Sequence, residues 1–574
     1  MSTLSFEGRE VPVRPGQTVA AALWEAGIRS WRTTRVAGRP RGLFCGIGAC
    51  FDCLVTIDGT PNRRACLVPA HSGMVVTPAR AERAQGGTAP GPARAERTPR
   101  FDVAVVGGGP AGLAAAASAA LAGARVALVD AAERLGGQFW RHAEGATGRG
   151  HRDWSVFSGL RSIVEERVDH IAGATVWFVE PEITSSPPLA SSRRLVLHTS
   201  AGQVEAGRLV LATGAYDRAL PFPGWDLPGV VTPGGAQALL KGSGVALGER
   251  VVVAGAGPFL LPVATGLLAA GVQVVGVYEA GEPGAYLRRL GALPAALSKV
   301  GEAAGYAAAL ARRRVPYRAR RAVVAARGDD RVSEVDIGRL DRSGHLRPGS
   351  VETVACDAVA VGYGFTANLE LALALGCRTV RAADGGLAVG VGEDGRTSVP
   401  GVFAAGEVTG VGGAALAVVE GQLAGSAAAA TAGADQLSGR DLASLRRRQE
   451  RLRAFAEAMH AAHAPPAGWP AWLAEDTLVC RCEEVSHGTV ARAVGLGGID
   501  ARTVRSLARP GMGWCQGRVC GYATAALTAR ACGRPVADAD LLAFAARPFA
   551  APVRLADLAA GADDSGPTPT PGPR

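Results

Sequence analysis

The first 77 residues alternate between apolar and polar positions in short runs, which predict a small domain of strands with one helix. The predicted elements are two strands within Leu4–Val13 that turn at Gly8, a helix over Thr18–Ala26, and a hairpin of Leu54–Ile57 and Arg63–Val68 around Asp58-Gly59. The stretch 78–100 that follows is rich in Pro, Gly, Ala and Arg and has no periodic apolar face. That composition is typical of a linker.

Two later segments, Phe101–Asp130 and Arg250–Glu279, share one plan: an apolar strand, a glycine-rich turn, a helix and a second strand. Gly207–Gly214 and Val402–Gly406 predict further buried strands, and Ala414–Ala430 predicts a helix. Glycine is abundant, with 78 residues, whereas aromatic residues make up only 5% of the chain. These features favour close-packed α/β layers with glycine-rich turns.

The formal net charge of +10 comes from 61 Lys and Arg against 51 Asp and Glu. Only Lys241 and Lys299 are lysines, and the arginines are scattered among acids without an aromatic-lined basic stripe. The charge therefore does not predict a nucleic-acid partner. We attribute the positive charge to arginines on solvent-exposed faces of the protein. The alternative is that some of these arginines face an acidic redox partner.

The N-terminal residues lack the basic-then-apolar pattern of a secretory signal. The most apolar stretches, Phe101–Asp130 and Val411–Ala432, are interrupted by Gly, Arg or Glu, so no transmembrane segment is predicted. We expect a cytoplasmic location, with peripheral membrane contact left open. Eleven cysteines in such a chain indicate metal or redox chemistry. Cys356, Cys377 and Cys532 stand apart and are expected to be buried apolar residues.

The first cysteine group has the spacing C-x4-C-x2-C, followed after twelve residues by a fourth cysteine. Its members are Cys45, Cys50, Cys53 and Cys66. This is the opening pattern of plant-type [2Fe-2S] ferredoxins. Nearby glycines allow backbone N–H groups to approach the sulfur atoms. The alternatives are a zinc site or unliganded thiols, but zinc sites usually combine two C-x2-C pairs.

A glycine-rich turn follows the first long apolar strand and opens a helix, as in dinucleotide-binding folds. The turn residues expected to bind the cofactor are Gly107, Gly109, Pro110, Ala111 and Gly112. Gly107 makes the turn, Gly109 lets the backbone meet a pyrophosphate, and Gly112 allows close packing of helix on strand. Asp130 ends the next strand, where it is expected to accept hydrogen bonds from ribose hydroxyls.

The second nucleotide turn contains Gly255 and Gly257 but has Leu260 in place of the third glycine. Glu279 at the end of the next strand favours NAD over NADP, because a carboxylate accepts from the 2′-hydroxyl. The bulk of Leu260 changes the packing where a nicotinamide nucleotide normally lies. The sequence therefore leaves NAD binding and a purely structural domain as equal alternatives.

The second cysteine group is Cys480-Arg481-Cys482, followed after thirty-two residues by Cys515 and Cys520. The C-x-C half places two thiolates on one extended loop, and the second pair is predicted at the start of a helix. A [2Fe-2S] cluster is favoured over zinc or a C-x4-C dithiol. The segment around Gln138 carries no cysteine, and neither does the second nucleotide turn, so a redox-active disulfide is not predicted.

Together these motifs resemble a known family over almost the whole chain. Phe44–Cys53 with Cys66 resembles the small ferredoxin-like subunit of the hydrogen cyanide synthase, opine oxidase and D-hydroxyproline dehydrogenase complexes. The chain from Phe101 to about Leu558 resembles their large flavoprotein subunit, which is related to the alpha subunit of heterotetrameric sarcosine oxidase. Cys480–Cys520 resembles the bacterioferritin-associated ferredoxin type of domain, although the last pair there is commonly C-x2-C.

The resemblance implies an α/β core of two Rossmann-like dinucleotide-binding domains with an N-terminal β-grasp ferredoxin domain and a small C-terminal α-helical [2Fe-2S] domain. The implied boundaries are 1–77 for the ferredoxin domain, 78–100 for the linker, 101–235 for the first part of the FAD-binding domain, 236–370 for the NAD-binding-like domain, 371–470 for the return of the FAD-binding domain with connecting helices, 471–560 for the second cluster domain and 561–574 for a disordered tail.

The implied cofactors are FAD and two [2Fe-2S] clusters. The family's later FAD contacts correspond here to Gln138, Thr213, Gly214, Gly406 and Glu407, the last of which is usually Asp. In some relatives another adenine nucleotide occupies the first site and an FMN lies at a subunit interface.

The implied function is that of an electron-transfer subunit in a heteromeric dehydrogenase of amino or imino acids. The implied partners are a small flavoprotein of the D-amino-acid-oxidase type, which would carry the substrate site, and a downstream electron acceptor. The sequence shows no motif for the amine itself, and no catalytic residue is predicted. The alternatives are a self-contained NAD(P)H-dependent ferredoxin or acceptor reductase, against which Leu260 argues, and a scaffold in which only the clusters conduct.

Overall fold

The computed structural model describes residues 2–79, 100–148, 150–181, 194–282, 293–435, 437–553 and 558. Apart from its ends, the predicted linker 78–100 lies outside the described residues, and so does the predicted tail 561–574. Among the helices that are described, none combines the length and the apolar character needed to cross a bilayer.

The N-terminal unit is a five-stranded sheet packed on one helix. Its elements are β1 Thr3–Phe6, β2 Arg9–Pro12, α1 Val19–Glu25, β3 Arg32–Thr33, β4 Pro40–Arg41, β5 Leu54–Ile57, β6 Thr60–Arg64 and β7 Val75–Pro78. The sheet order is β2-β1-β7-β5-β6, with β1 and β7 parallel. The predicted hairpin is present, but its second strand is Thr60–Arg64 rather than Arg63–Val68, because the Asp58-Gly59 turn leads directly into β6 and pairs Ile57 with Thr60.

The first α/β unit follows. Its elements are β8 Arg100–Val106, α2 Pro110–Leu121, β9 Val126–Val129, α3 Trp154–Arg167, β10 Asp169–Ile171, β11 Val176–Pro181, β12 Leu195–Thr199 and β13 Gly202–Leu211. Alternate residues of β8 lie in cores on opposite faces of the sheet, with Val103 and Val105 on the side of α2 and Ala104 and Val106 on the other. Both faces are therefore covered, which explains the continuous apolar run of this strand.

The second α/β unit has its own five-stranded parallel sheet. Its elements are β14 Ala215–Asp217, β15 Val230–Val231, α4 Pro233–Ser243, β16 Arg250–Ala256, α5 Leu260–Ala269, β17 Gln273–Glu279, α6 Leu293–Arg312, β18 Tyr317–Ala319, β19 Arg321–Arg327, β20 Glu334–Arg339, β21 Glu352–Ala355, β22 Ala358–Tyr363 and β23 Phe365–Ala367. The sheet order is β15-β22-β16-β17-β18, and β19-β20-β21 form a separate antiparallel layer. The chain crosses between the two units along the β14–β23 pair.

The chain then returns to the first unit. The returning elements are α7 Glu370–Ala374, β24 Thr379–Arg381, β25 Leu387–Val389, β26 Val402–Ala404, α8 Ala414–Thr431 and α9 Gly439–Ala462. β26 pairs with the end of β13 and completes the first sheet, and the alanine-rich helix α8 packs against α2. The Rossmann-type fold that the sequence predicts is present in both units.

The C-terminal region contains a short strand pair and several helices. Its elements are β27 Leu478–Cys480, β28 Val485–Ser486, α10 His487–Gly495, α11 Ala501–Ala508, α12 Gly521–Ala531 and α13 Asp538–Ala545. The second α/β unit contacts both the N-terminal unit and the C-terminal helices. One face of its sheet shares a core with the N-terminal unit, where Trp24 Nε1 donates to the carbonyl of Leu247 at 2.9 Å. The other face shares a core with the C-terminal helices.

Candidate functional site

The first cysteine group gathers on a loop between β4 and β5 and at the end of β6. All four thiols are buried. The side chain of Cys45 contacts that of Cys50, and the side chain of Cys53 contacts that of Cys66, so the group consists of two pairs. Two pairs suit a cluster of two irons, each of which takes two thiolates.

Backbone N–H groups are directed at the sulfur atoms of this loop. Cys50 donates to Cys45 Sγ at 3.4 Å, and Asp52 donates to Cys50 Sγ at 3.4 Å. Burial raises the pKa of the Cys45 thiol, but hydrogen bonds from the Cys50 side chain and from the backbone of Ile47, Ala49 and Cys50 lower it to about 7. N–H donors that stabilise sulfur charge are what an iron–sulfur cluster requires of its loop.

The second cysteine group forms around β27 and the start of α12. The Sγ atoms of Cys480 and Cys482 are 3.7 Å apart, those of Cys482 and Cys515 are 4.0 Å apart, and Cys520 contacts Cys480. The hydrogen bonds from Cys482 and Cys520 lower the pKa of Cys480 well below its usual value, despite its burial.

Two glycines lie close to the sulfur atoms of the second group, as expected for a loop that binds an iron–sulfur cluster. Gly513 passes so close that a Cβ there would lie 2.5 Å from Cys482 Sγ. Gly511 donates its N–H to Cys480 Sγ at 3.5 Å. Within the part of the chain that the structure describes, no group of three or more metal-ligating side chains has the geometry of a site for a metal ion.

The two cysteine groups come from opposite ends of the chain and meet directly. Asp52 of the first loop and Arg481 of the second form a buried ion pair of 2.8 Å. Burial raises the pKa of Asp52, but the positive charges of Arg481, Arg41 and Arg32 hold it below its usual value. The order of motifs along the sequence predicts one group on either side of the nucleotide-binding core and gives no sign of this contact.

The first nucleotide turn has the predicted geometry. Gly107 has a φ of +107°, and a Cβ on Gly112 would lie 1.7 Å from the carbonyl oxygen of Gly107, so neither position tolerates a side chain. Gly109 caps α2 and Pro110 opens it, which leaves the N–H groups of the first helical turn, including that of Ala111, free to face an anion. Asp130 Oδ2 accepts from the N–H of Gly108 at 3.0 Å, and burial raises its pKa to about 6.

Most of the other residues that the sequence assigns to this site surround the same turn. A Cβ on Gly137, the neighbour of Gln138, would lie 2.6 Å from Gly109, and one on Gly406 would lie 2.7 Å from Ala111. Gln138 Oε1 accepts from Arg141 Nη2 at 2.8 Å. Thr213 and Gly214 are both hydrogen-bonded to the backbone of Asn368. Thr213 Oγ1 donates to its carbonyl at 2.8 Å, and the carbonyl of Gly214 accepts from its N–H at 2.9 Å.

Glu407 is directed at the start of α8. Its Oε1 accepts from the N–H of Gly413 at 2.7 Å, and burial raises its pKa to about 7. The adjacent Gly406 is fixed by Glu420, whose Oε2 accepts its N–H at 2.9 Å and also accepts from Thr409. Arg453 of α9 pairs with Glu420. Sequence reasoning missed Glu420 and Arg453, although the arginine-rich composition of α9 was a signal that some of its arginines are not solvated.

The second nucleotide turn is covered. Glu279 is only 1% exposed, and its carboxylate accepts from the N–H groups of Gly257 at 3.1 Å and Gly281 at 2.8 Å. His463, at the end of α9, lies 3.3 Å from Glu279 Oε2. Gly255 packs so tightly that a Cβ would lie 1.7 Å from the carbonyl of Gly362. The acid that would bind a ribose is therefore closed off by the chain itself.

Gly112→Ala is expected to cost the chain most of its bound nucleotide. The new methyl group collides with the carbonyl oxygen of Gly107, so the turn must move, at a cost of about 1–3 kcal/mol. Nucleotide released by acid denaturation measures the effect. Gly159→Ala is the matched control, because Gly159 lies on α3 of the same unit with open space around it. Equal nucleotide content in the two variants would contradict the assignment of this turn.

Two protein families match the chain. Residues 1–81 match the family described as "2Fe-2S iron-sulfur cluster binding domain", and residues 101–433 match "Pyridine nucleotide-disulphide oxidoreductase". One subunit of the opine oxidase of Agrobacterium tumefaciens (strain Ach5) is 34% identical over 479 residues, which cover 80% of this chain and 91% of that protein. The HcnB subunit of the hydrogen cyanide synthase of Pseudomonas aeruginosa is 33% identical over 443 residues, covering 75% and 93%.

Among solved structures, the L-proline dehydrogenase from P. horikoshii has the same fold over 97% of both chains, with a TM-score of 0.68 and 21% sequence identity. The family resemblance expected from the motifs is thus confirmed. The chain belongs to the pyridine nucleotide-disulphide oxidoreductases, in one family with these opine oxidase and hydrogen cyanide synthase subunits, and is an iron–sulfur flavoprotein oxidoreductase.

Proposed function

We propose that this chain is the electron-transfer subunit of a heteromeric dehydrogenase of amino or imino acids, and that it relays electrons between a flavin and two [2Fe-2S] clusters. The observation that carries the proposal is the meeting of two cysteine quartets beside a flavoprotein core, with seven of the eight cysteines buried and Cys482 partly buried. The relatives are named as subunits of an opine oxidase and of a hydrogen cyanide synthase, which supports a heteromeric complex.

The proposal assigns each region a role. Residues 1–77 form a β-grasp ferredoxin domain, 101–235 and 371–470 form the FAD-binding domain, 236–370 form an NAD-binding-like domain, and 471–560 form a helical [2Fe-2S] domain. The chain then corresponds to the small and large electron-transfer subunits of the family fused through 78–100. All eleven cysteines are unpaired, which suits a cytoplasmic chain.

The residues of the chain would hold the cofactors as follows. The N–H groups at the start of α2 would bind the pyrophosphate of FAD, and Asp130 would accept from its ribose. The quartets Cys45–Cys66 and Cys480–Cys520 would hold one cluster each. A flavin takes up an electron pair and gives the electrons up singly, as one-electron clusters require. By analogy with the family, an FMN at the interface with the partner subunit would be a further cofactor. The alternative to FAD at the Gly107–Gly112 turn is another adenine nucleotide.

The amine substrate would be oxidised on another polypeptide, a small flavoprotein of the D-amino-acid-oxidase type. Mixing the two proteins with candidate substrates tests this directly. Anaerobic reduction of this chain is expected only when the partner and an amino or imino acid are both present. Reduction by the amino acid without the partner would place the substrate site on this chain and contradict the proposal.

The alternative is a self-contained NAD(P)H-dependent reductase. Two features of the second unit oppose it: His463 covers the ribose-binding acid Glu279, and Leu260 fills the helix start with a side chain that is 2% exposed. Neither feature leaves the opening that a nicotinamide nucleotide needs.

NADH is therefore expected to leave the flavin of the isolated chain oxidised when the two are mixed anaerobically. Stopped-flow absorbance measures this, with dithionite as the positive control for a reducible flavin. A double variant with Leu260→Gly and His463→Ala opens the second turn and is expected to bind NADH more tightly than the wild type in a calorimetric titration. Prompt bleaching of the wild-type flavin by NADH would favour the reductase instead.

A further inference from the structure

The contact between the two cysteine loops is made by one residue from each loop. Asp52 lies between Cys50 and Cys53, and Arg481 lies between Cys480 and Cys482. Arg481 Nε donates to Asp52 Oδ2 at 2.8 Å, with side chains that are 5% and 2% exposed. The two cysteine loops are thus joined by a buried hydrogen bond.

Other groups fix this ion pair in one geometry. Arg481 Nη1 donates to the carbonyl of Trp225 at 2.6 Å, and its guanidinium carbon lies 4.1 Å from the centre of the Phe44 ring. The fully buried Arg41 donates from Nη2 to the carbonyl of Arg481 at 3.1 Å. Phe44 precedes Cys45, so the guanidinium touches the first loop at two points.

An apolar contact runs beside the polar one. The Phe51 ring stacks on Trp514, with ring centres 6.2 Å apart and an interplanar angle of 22°. Phe51, Leu54 and Cys515 share one small buried cluster. Each loop therefore meets the other through residues that are directly bonded to cluster ligands in the sequence.

We propose that Asp52 and Arg481 are positioning residues that hold the two clusters as direct redox neighbours, so that electrons pass between them without an intervening flavin. This inference rests on the proposed function. A single electron that crosses the junction oxidises one cluster and reduces the other by one electron, and no proton or covalent bond changes. A buried ion pair contributes little net stability compared with an apolar pair, so fixed geometry is the better reason for its presence.

The test measures magnetic interaction between the clusters in the full-length chain. Two reduced [2Fe-2S] clusters that are neighbours split or broaden each other's electron paramagnetic resonance signals. The wild type reduced by dithionite is expected to show this splitting. A double variant with Asp52→Leu and Arg481→Met leaves no unpaired buried charge, and it is expected to lose or change the splitting while iron content and total spin are retained.

Two further variants separate positioning from general damage. Asp52→Asn with Arg481→Gln keeps a neutral hydrogen bond and is expected to retain the wild-type splitting. Glu370→Gln is the matched control, because Glu370 pairs at 2.8 Å with Arg518, a buried arginine that lies between Cys515 and Cys520. That pair also sits beside a cluster loop but does not join the two loops, so its loss is expected to leave the splitting unchanged.

The outcomes distinguish this inference from the function on which it rests. A wild type with a full complement of iron in two clusters but no spin interaction would overturn the inference alone. Unchanged splitting in the Asp52→Leu and Arg481→Met variant would do the same. Iron for only one cluster in the wild type would instead overturn the two-cluster function.

Discussion

Cys53→Ser is expected to remove half of the bound iron and the absorbance and paramagnetic signal of one cluster, while the flavin content stays unchanged. In the proposed cluster, Cys53 and the adjacent Cys66 would bind the same iron, and we expect serine to be a poor substitute for a thiolate ligand. The nucleotide turn at Gly107–Gly112 shares no residue with the quartet, so we expect the turn to keep its conformation in the variant. Iron and flavin analysis of the purified variant measures both quantities.

Cys515→Ser is the corresponding change in the second quartet and is expected to remove the other half of the iron. Cys356→Ser serves as the matched control, because Cys356 is equally buried but lies outside both quartets. It is expected to keep all of the iron. Loss of both clusters and the flavin together in either quartet variant would contradict independent sites.

Arg453→Ala is expected to lower the free energy of unfolding by on the order of 3 kcal/mol, because it leaves Glu420 as an unpaired buried charge. Glu420 is 4% exposed and holds the N–H of Gly406, so the variant is also expected to bind its flavin more weakly. Urea unfolding followed by fluorescence, together with flavin content after dialysis, measures the two effects.

Arg446→Ala provides the control on the same helix. Arg446 pairs with Glu393 at 3.5 Å, and both side chains are largely exposed, so its loss is expected to cost about 0–1 kcal/mol. Similar stability losses in the two variants would show that α9 contributes through its helix rather than through the Glu420 pair. If the Arg453→Ala variant kept its flavin, the Arg453–Glu420 pair would not be needed for flavin binding.

The local parts of the sites follow from the sequence because their chemistry is set by spacing. C-x4-C-x2-C forces three thiolates onto one short loop, and the distance from Gly107 to Asp130 matches one strand–helix–strand unit. The strand predicted at Gly207–Gly214 begins earlier, at Gly202, because its first half pairs with β12. An apolar run marks the buried half of a strand, whereas the half-exposed part alternates and is harder to recognise.

The long-range contacts do not follow from the sequence. Asp52 and Arg481 are each a single charged residue between cysteines, and no periodicity links positions that far apart. His463 lies just beyond a long polar helix, where a histidine is ordinarily solvated, and only the packing of α9 places it on Glu279. Leu260 indicated that the second nucleotide site differs from the usual pattern. The sequence did not indicate that the end of α9 covers this site.

The contact between Asp52 and Arg481 forms only after both residues have been synthesised. Arg481 leaves the ribosome 429 residues after Asp52. At typical rates of chain elongation, roughly 20–90 s pass between the two events. Throughout that interval the N-terminal cysteine loop lacks its contacts with the C-terminal helices. We therefore expect the first quartet to be able to take up a cluster before the second quartet has been made.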